Sequence, residues 1–402
     1  DVVTGPLSGE PDLAGEGLPG SEELEHQLRK AYARVSLGYF LHVTGGVQTS
    51  HWGLGLLAND GAHGWAPGSA RIADPRGGDR VIRVALASGP VTSLGITAAV
   101  GYDWVLDDDV TLEGDEARQF IGAVTIGKGH PTSLGFYGVY RTQEADLDGD
   151  RTRVAAFDLY GRTSHRLGKR LQLTVELKSA LIIGETDLGS SSEFPQKDVL
   201  QLGVALRAGL SAGSLGGVLD VLFASGDSNY DDGDQNNFKP DPNFEMGLLL
   251  YRQVLAGQTG RAPFTASDPE LVGRPNEDLE RFPTRGSATN TVALFPRAWW
   301  RPLAGLEVHG GPLVAFTPVS NADPLNSRVA GGVPRTALDG DPGGYLGTEL
   351  DVGVRYQALL GGTRLMAGLE GGVLFPGSAL AAADGSTLDP IYGGRFLLAY
   401  QL

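Results

Sequence analysis

Charged side chains recur at alternate positions inside otherwise apolar segments, and they are the residues best suited to do chemistry. Eleven are predicted to line one inner surface: Arg153, Asp158, Arg162, Glu176, Lys178, Arg207, Asp220, Glu307, Arg355, Glu370 and Arg395. Both signs are present, so they do not form the single-sign ladder of a selectivity filter. Two interpretations stand equally: a polar lumen that guides a hydrophilic solute, or neutralising pairs that only keep a lumen wet.

A second candidate site is a loop that would narrow this lumen, containing His51, Trp52, Asn59 and Asp60. Trp52 lies near the end of a predicted strand, and the glycines that follow it permit a sharp inward turn. The sequence Asn59-Asp60-Gly61 is itself a turn signal. We favour a constriction loop inside the lumen over a loop packed on the outer rim.

Alternating carboxylates mark a third candidate, a weak surface site for Ca²⁺. Asp146, Asp148 and Asp150 have a spacing that hard cations accept, but the downstream acidic ligand and helical frame of an EF-hand are not evident. A solvated turn is the stronger interpretation. No other cofactor is predicted.

Residue types argue against catalysis and against nucleic acid as a partner. The sequence has no cysteine, and none of its seven histidines has HExxH spacing. We therefore predict no enzymatic activity. The net charge of −16 disfavours phosphate backbones, which need basic patches.

The elements that would position the charged residues are strands of alternating character. Leu171, Leu173, Val175, Leu177, Leu181 and Ile183 fall on odd-numbered positions, and Gln172, Thr174, Glu176 and Lys178 fall on even-numbered positions between them. A strand places these two sets on opposite faces. Strands of about a dozen residues exceed the usual ~5–6, and at ~3.3 Å per residue they can cross an apolar band ~25 Å tall.

Short and long connections alternate along the chain, as they do in outer-membrane barrels with short periplasmic turns and long outer loops. We place fifteen strands at about 33–43, 46–56, 79–88, 93–105, 118–127, 131–142, 151–164, 170–184, 197–211, 214–225, 287–300, 303–317, 345–358, 363–376 and 390–402. Because bacterial barrels normally have even strand numbers, we expect an all-β transmembrane antiparallel barrel of about 16 strands (range 14–18), with one strand unplaced.

Two regions fall outside the regular strands. Residues 1–32 are predicted to be a periplasmic segment with a short helix at 21–31, and residues 33–402 the barrel. Within the barrel, residues 226–286 are predicted to be a long loop or plug insertion, in which Phe244 to Leu255 could form a helix on or inside the barrel. Since the chain starts at Asp1 without methionine, we interpret it as a processed product.

Aromatic residues near predicted strand ends are interpreted as girdles at the two membrane interfaces, in preference to ordinary packing in a soluble sheet. The set is Trp104, Tyr137, Tyr140, Tyr160, Trp299, Trp300, Phe316, Tyr356, Phe375, Tyr392 and Tyr400.

Two stretches carry a family resemblance. One is His51-Trp52-Gly53-Leu54-Gly55-Leu56-Leu57-Ala58-Asn59-Asp60-Gly61, followed by Asp79-Arg80-Val81. The other is Ala224-Ser225-Gly226-Asp227, followed by Phe238-Lys239-Pro240-Asp241-Pro242-Asn243-Phe244 and Leu248-Leu249-Leu250-Tyr251. They resemble large outer-membrane β-barrels of myxobacteria and their relatives, which are distantly similar to alginate-export-type porins. The resemblance implies a barrel in the outer membrane of a Gram-negative bacterium, surrounded by lipid and lipopolysaccharide.

Three functions fit these observations. The first is a channel or exporter that passes polar solutes or polysaccharide through a polar lumen. The second is a non-conducting, plugged barrel that scaffolds a cell-surface assembly together with surface or periplasmic protein partners. The third is a soluble all-β domain. We expect the first and keep the second as the alternative.

Overall fold

One antiparallel sheet organises the protein. The computed structural model describes residues 2–3, 25–26, 28–62, 67–69, 78–108, 110–111, 114–146, 149–188, 193–229, 232–258, 284 and 286–401. Its long strands are β1 (Ala31–Leu37), β2 (Leu41–Thr49), β3 (Arg80–Ser88), β4 (Thr97–Asp107), β5 (Glu116–Ile126), β6 (Thr132–Glu144), β7 (Arg151–Leu167), β8 (Leu171–Thr186), β9 (Lys197–Ala212), β10 (Leu215–Ala224), β11 (Thr291–Leu303), β12 (Leu306–Phe316), β13 (Tyr345–Leu360), β14 (Thr363–Pro376) and β15 (Ile391–Gln401).

Each long strand pairs with the next one along the chain, so the sheet is a continuous up-and-down meander. A sixteenth, two-residue strand, Asp234–Gln235, pairs with β9 in parallel. Short turns and long loops alternate between the strands, and β1 and β15 run in the same direction because an odd number of long strands separates the two ends. This confirms the predicted all-β fold, and the predicted strands from 79–88 onward overlap β3–β15 in order. The first predicted hairpin was wrong: its turn was placed at 44–45, within β2, whereas the chain turns at 38–40, where Gly38 has a φ of +66°.

The predicted N-terminal helix is wrong in the part of 21–31 that the structure describes. Glu25–His26 is a two-residue strand that pairs with Val2–Val3, and Ala31 already begins β1. The remaining residues of that helix prediction lie outside the described residues.

The outer face of the sheet is apolar and uncovered. On β8, Leu177 is 50% exposed while the neighbouring Lys178 is 0% exposed. Water would favour the reverse arrangement, whereas a bilayer favours apolar side chains outside and polar ones within. Among the described residues, no helix is long and apolar enough to span a membrane.

Aromatic side chains divide between the two faces. Trp104, Tyr140, Trp300, Phe316, Tyr356, Phe375, Tyr392 and Tyr400 are exposed on the outer face. Tyr137, Tyr160 and Trp299 instead share the inner face with charged groups, so their assignment to the interfacial girdles was wrong. Cross-strand pairing shows this directly, since Tyr137 lies opposite Asp158 and Tyr160 lies opposite Lys178.

The hydrophobic core lies inside the barrel, where two long loops fold inward. Loop A is the described part of the β2–β3 connection, residues 50–62, 67–69 and 78–79. Loop B is the described part of the β10–β11 connection, residues 225–229, 232–258, 284 and 286–290. Loop A contacts β7 and β8 near residue 53 and β11 to β13 near residue 68, so the sheet curves around it. Loop B supplies nine of the 22 buried residues of the apolar core, more than any other connection or strand among the described residues.

Candidate functional site

A belt of ion pairs crosses the inner face at mid-strand. Ten of the eleven predicted lumen residues lie on this face: Asp158, Arg162, Glu176, Lys178, Arg207, Asp220, Glu307, Arg355, Glu370 and Arg395. We call them, together with Arg297, the charged belt. The structure pairs Lys178 with Asp158 at 3.0 Å, Arg355 with Glu307 at 3.0 Å and Arg395 with Glu370 at 2.6 Å.

Two carboxylates of the belt each serve two arginines. Asp220 contacts Arg207 at 2.6 Å and also contacts Arg297 on the next strand. Glu307 likewise binds Arg301 and Arg355. Because the charges neutralise one another across neighbouring strands, the belt keeps the interior polar without building a field of one sign.

The placement of Arg153 in the lumen was wrong. On β7 the even-numbered residues point inward, as Asp158 and Arg162 do, whereas Arg153 is on the outer face with Phe157 and Leu159. Arg153 pairs at 3.1 Å with Glu185, which lies opposite it on β8. Both lie at the long-loop end of their strands, where an ion pair can remain in contact with water.

Loop A enters the lumen directly after β2. Its Trp52 stacks on Tyr137 with ring centroids 5.5 Å apart, and the Trp52 carbonyl accepts a hydrogen bond of 2.6 Å from Lys178 Nζ. Gly53 has a φ of +56°, and a Cβ there would lie 2.8 Å from the Tyr160 ring. The backbone can therefore turn here only because residue 53 is glycine.

The second half of loop A is a tight turn held by its own side chains. Asn59 donates to the carbonyl of Gly55 at 3.2 Å and accepts from Gly61 N at 3.1 Å, while Asp60 accepts from Ala62 N at 3.1 Å. His51 Nδ1 lies 3.7 Å from the Asp60 carboxylate. The structure thus places His51, Trp52, Asn59 and Asp60 within the barrel rather than on its rim.

Loop B turns inward at the Ser225-Gly226-Asp227 sequence. Ser225 Oγ donates to the carbonyl of Asn236 at 2.7 Å, and Asp227 accepts from Asn229 N and Asn236 N at 2.9 and 3.0 Å. Burial raises the pKa of Asp227, although the two backbone donors act in the opposite direction. A Cβ on Gly226 would collide with Asn290, so this motif closes the base of the loop.

One buried carboxylate holds the tip of loop B. Glu349, on β13, is fully buried and accepts hydrogen bonds from the backbone N–H groups of Leu248, Leu249 and Leu250 at 2.5, 2.8 and 2.8 Å. These residues precede and begin a short π-helix at Leu250–Leu255. The N–H groups at a helix start lack partners within the helix, and Glu349 supplies their acceptor. The helix predicted at Phe244 to Leu255 is thus present from Leu250 onward.

Sequence reasoning missed an apolar ring on the inner face. Near the long loops, the inward positions carry Ala180, Ala205, Leu222, Ala224, Ala293, Phe295, Leu313, Ala315 and Leu374, all buried against loop B. We call this set the apolar collar. A signal was available: where β10 and β14 approach their long loops, the runs at 221–224 and 373–375 are apolar on both faces, which is typical of strands covered on both sides.

A polar pocket remains between the charged belt and the two inward loops. About 830 Å³ of space at this position is not occupied by protein atoms, a volume that includes open solvent. Its described lining includes three arginines, Arg207, Arg297 and Arg395, and three carboxylates, Glu245, Asp351 and Glu370, together with His51, Asn59, Asn243 and His309. Apolar contact comes from Leu54, Phe244, Leu248 and Phe295.

The structure describes two of the three residues of the predicted Ca²⁺ site. Asp146 lies in an exposed turn, where its backbone N–H donates to Asp115, while Asp148 lies outside the described residues. No cluster of three or more acidic, histidine or cysteine side chains that could bind a metal is found among the described residues. The Ca²⁺ site stays a prediction.

One stretch, Gly209-Leu210-Ser211-Ala212-Gly213, matches the G-x-S-x-G pattern of a nucleophile elbow. An elbow needs a strand-to-helix turn, but these residues end β9 and lead by a two-residue turn into β10. The pattern therefore lacks the geometry that activates a serine.

Comparison with solved structures found outer-membrane proteins of similar fold. The chain matches Pseudomonas aeruginosa OccK5 (OpdH) with a TM-score of 0.49 and 11% identity, covering 92% of this chain and 80% of that one. It matches the outer membrane protein opdK from Pseudomonas aeruginosa with a TM-score of 0.49 and 12% identity, covering 92% and 78%. For Pseudomonas aeruginosa OccK2 (OpdF) in complex with glucuronate, the TM-score is 0.47 and the identity 12%, covering 92% and 79%.

No family model matches the sequence, and no curated protein matches it. At these identities and TM-scores, no solute or partner transfers from the three structures to this chain. The resemblance to myxobacterial and alginate-export-type barrels stays a prediction.

The geometry alone defines the class of protein. A continuous antiparallel sheet with an apolar outer face and a charged inner face has the architecture of a transmembrane β-barrel, which turns apolar side chains toward lipid and keeps its ions in water.

Proposed function

We propose that the protein is an outer-membrane channel for polar solutes whose lumen is narrowed by loops A and B. The observation that carries the proposal is the polar pocket inside the barrel. Its arginines, carboxylates and amides face an open space at the depth where the outer surface is apolar. Ionisable groups at membrane depth are costly and characteristically line a solute path.

A narrower proposal is that the solute is a polysaccharide. Hydroxyl-rich chains would find hydrogen-bond donors and acceptors along the charged belt. Loop B closes the collar above the pocket, so an extended polymer could pass only if this loop moves aside. Export therefore requires more motion than the passage of a small solute.

Planar-bilayer recording tests the channel. We expect discrete conductance steps from the purified protein, which should be larger in a variant that lacks residues 226–286. Heat-modifiable migration on a denaturing gel would show that both proteins are folded barrels. If both are folded and neither conducts, the channel proposal fails.

A second candidate function is a plugged, non-conducting scaffold for a surface assembly, with surface or periplasmic proteins as its partners. The favouring observation is the way loop B is held, with Glu349 binding three backbone N–H groups and the collar burying Leu249, Leu250 and Tyr251. A folded but silent wild-type protein that co-purifies with a stoichiometric envelope protein would support this function over the first.

A further inference from the structure

We infer that the pocket binds an uncharged, hydroxyl-rich solute in preference to a free ion of either sign. The inference rests on the proposed channel for its biological meaning, but not for its test. It follows from three properties of the pocket: its paired charges, its buried polar atoms without partners, and its apolar wall.

The arginines of the pocket are already neutralised. Arg207 and Arg297 share Asp220, and Arg395 contacts both Glu370 at 2.6 Å and Glu245 at 2.5 Å. An incoming carboxylate would have to displace one of these buried partners while losing its own hydration, so it gains little net attraction. A free cation meets the same obstacle at Glu245 and Glu370, with three guanidinium groups close by.

Two polar atoms of the pocket wall are buried and make no hydrogen bond: Asp351 Oδ1 and His309 Nδ1. His309 Nε2 lies 3.1 Å from Glu370 Oε1. Because the carboxylate accepts, the neutral imidazole has its proton on Nε2, and its Nδ1 is then an acceptor. Both atoms therefore need a donor that this part of the protein does not supply.

These two acceptors lie on neighbouring strands. Asp351 on β13 is opposite Gly311, and His309 on β12 is opposite Gly353, so the two side chains are diagonal neighbours on the inner face. Gly353 makes room for the imidazole, because a Cβ there would lie 2.5 Å from His309 Nε2. Hydroxyl groups spaced along one small molecule can donate to both atoms.

The remaining wall suits the carbon skeleton of such a molecule. Phe244 from loop B and Phe295 from β11 line the same pocket. A sugar ring presents C–H groups on its faces and hydroxyl groups at its edge, so it can contact apolar rings and polar groups at once. A small inorganic ion has no surface that would use this wall.

Equilibrium binding to the detergent-solubilised, full-length chain tests the inference without requiring conduction. The probes are maltotriose as the uncharged polyol, glucuronate as the anion and putrescine as the cation, each titrated calorimetrically. We expect saturable binding of maltotriose that is at least about tenfold tighter than binding of either ion. Tighter binding of glucuronate or putrescine, or no saturable binding of maltotriose, would overturn the inference.

Variants locate the site. Asp351→Ala removes the acceptor oxygen, and we expect maltotriose binding to weaken about fivefold, the loss of one hydrogen bond. Asp384→Ala, in an exposed turn, is the matched control and should bind as the wild type does. Equal binding by both variants would place the sugar elsewhere and overturn the inference.

The same sample separates this inference from the channel proposal. Conduction without maltotriose binding would support the channel proposal and contradict the inferred sugar site. Maltotriose binding without conduction in bilayers would support the sugar site and contradict the channel proposal.

Discussion

The apolar collar and the charged belt occupy the same inner face of the same strands, yet they hold the interior by opposite means. The collar holds loop B by apolar packing around Leu222, Leu313 and Leu374. The belt holds loop A by charge, through Lys178 and its partners. The inner face of a strand can therefore be charged and border an open space at one depth in the barrel, and be apolar and packed against a loop at another depth.

The two regions also differ in what a solute meets. The collar is filled by apolar side chains of loop B, so a solute would meet a closed end there. The belt borders the polar pocket and can exchange hydrogen bonds with a passing molecule. If the protein is a channel, the collar and loop B set whether it is open, and the belt sets what it accepts.

The largest expected effect comes from Glu349→Ala. It leaves the N–H groups of Leu248, Leu249 and Leu250 buried without an acceptor, at about 1–3 kcal/mol for each. Loop B should then leave the collar, and single-channel conductance should rise severalfold in planar bilayers. Glu116→Ala, at an exposed ion pair on β5, is the control and should conduct as wild type. An unchanged conductance in Glu349→Ala would show that loop B is not held there.

Lys178→Met should destabilise loop A without opening the collar. It removes the partner of buried Asp158 and the donor to the Trp52 carbonyl, and breaking a buried pair costs about 3–5 kcal/mol. We expect an aqueous quencher to reduce the tryptophan fluorescence more strongly than in the wild type, because Trp52 should leave Tyr137 and meet water.

The double variant Lys178→Met/Asp158→Asn is the control, because it removes the unpaired charge as well. It should recover part of the lost stability. If the single and double variants are equally destabilised, the ion pair is not what matters at this position.

Leu313→Ala and Leu294→Ala form a matched pair on neighbouring strands. Leu313 is 0% exposed in the collar, whereas Leu294 is 44% exposed on the outer face. A cavity in the collar should cost about 2–5 kcal/mol, while lipid can fill the space left at residue 294. Thermal unfolding in detergent should show the larger loss for Leu313→Ala, and equal losses would contradict the assignment of the two faces.

The smallest effect is expected from Arg153→Ala. Arg153 pairs with Glu185 on the outer face with both side chains about half exposed, so the loss should be about 0–1 kcal/mol. Conductance and sugar binding should be unchanged. A changed conductance would contradict the assignment of Arg153 to the outer face.

The outer face could be predicted from sequence because one rule governs its whole length. Lipid demands an apolar residue at every second position, and this period, together with the alternation of short and long connections, located the strands from β3 to β15. The inner face follows two rules, and only the polar one was applied. The apolar runs at 221–224 and 373–375 break the alternation, and they are where loop B covers the strands.

Arg153 was misplaced although parity could have placed it. Residues 153 and 158 differ by an odd number, so they cannot share a face of a regular strand. The role of Glu349 had no comparable signal, because its partners are backbone N–H groups from residues about a hundred positions away. Contacts of that kind depend on how a loop folds, and no local period encodes them.

A nitroxide scan of β8, from residue 175 to 182, in lipid vesicles tests directly whether the apolar face of the sheet meets lipid. The chain has no cysteine, so each single-cysteine variant carries one label. We expect labels at odd positions to collide with oxygen dissolved in the lipid, and labels at even positions to be shielded from it. Uniform shielding at every position would mean that the apolar face is covered by protein, and the membrane barrel would be contradicted.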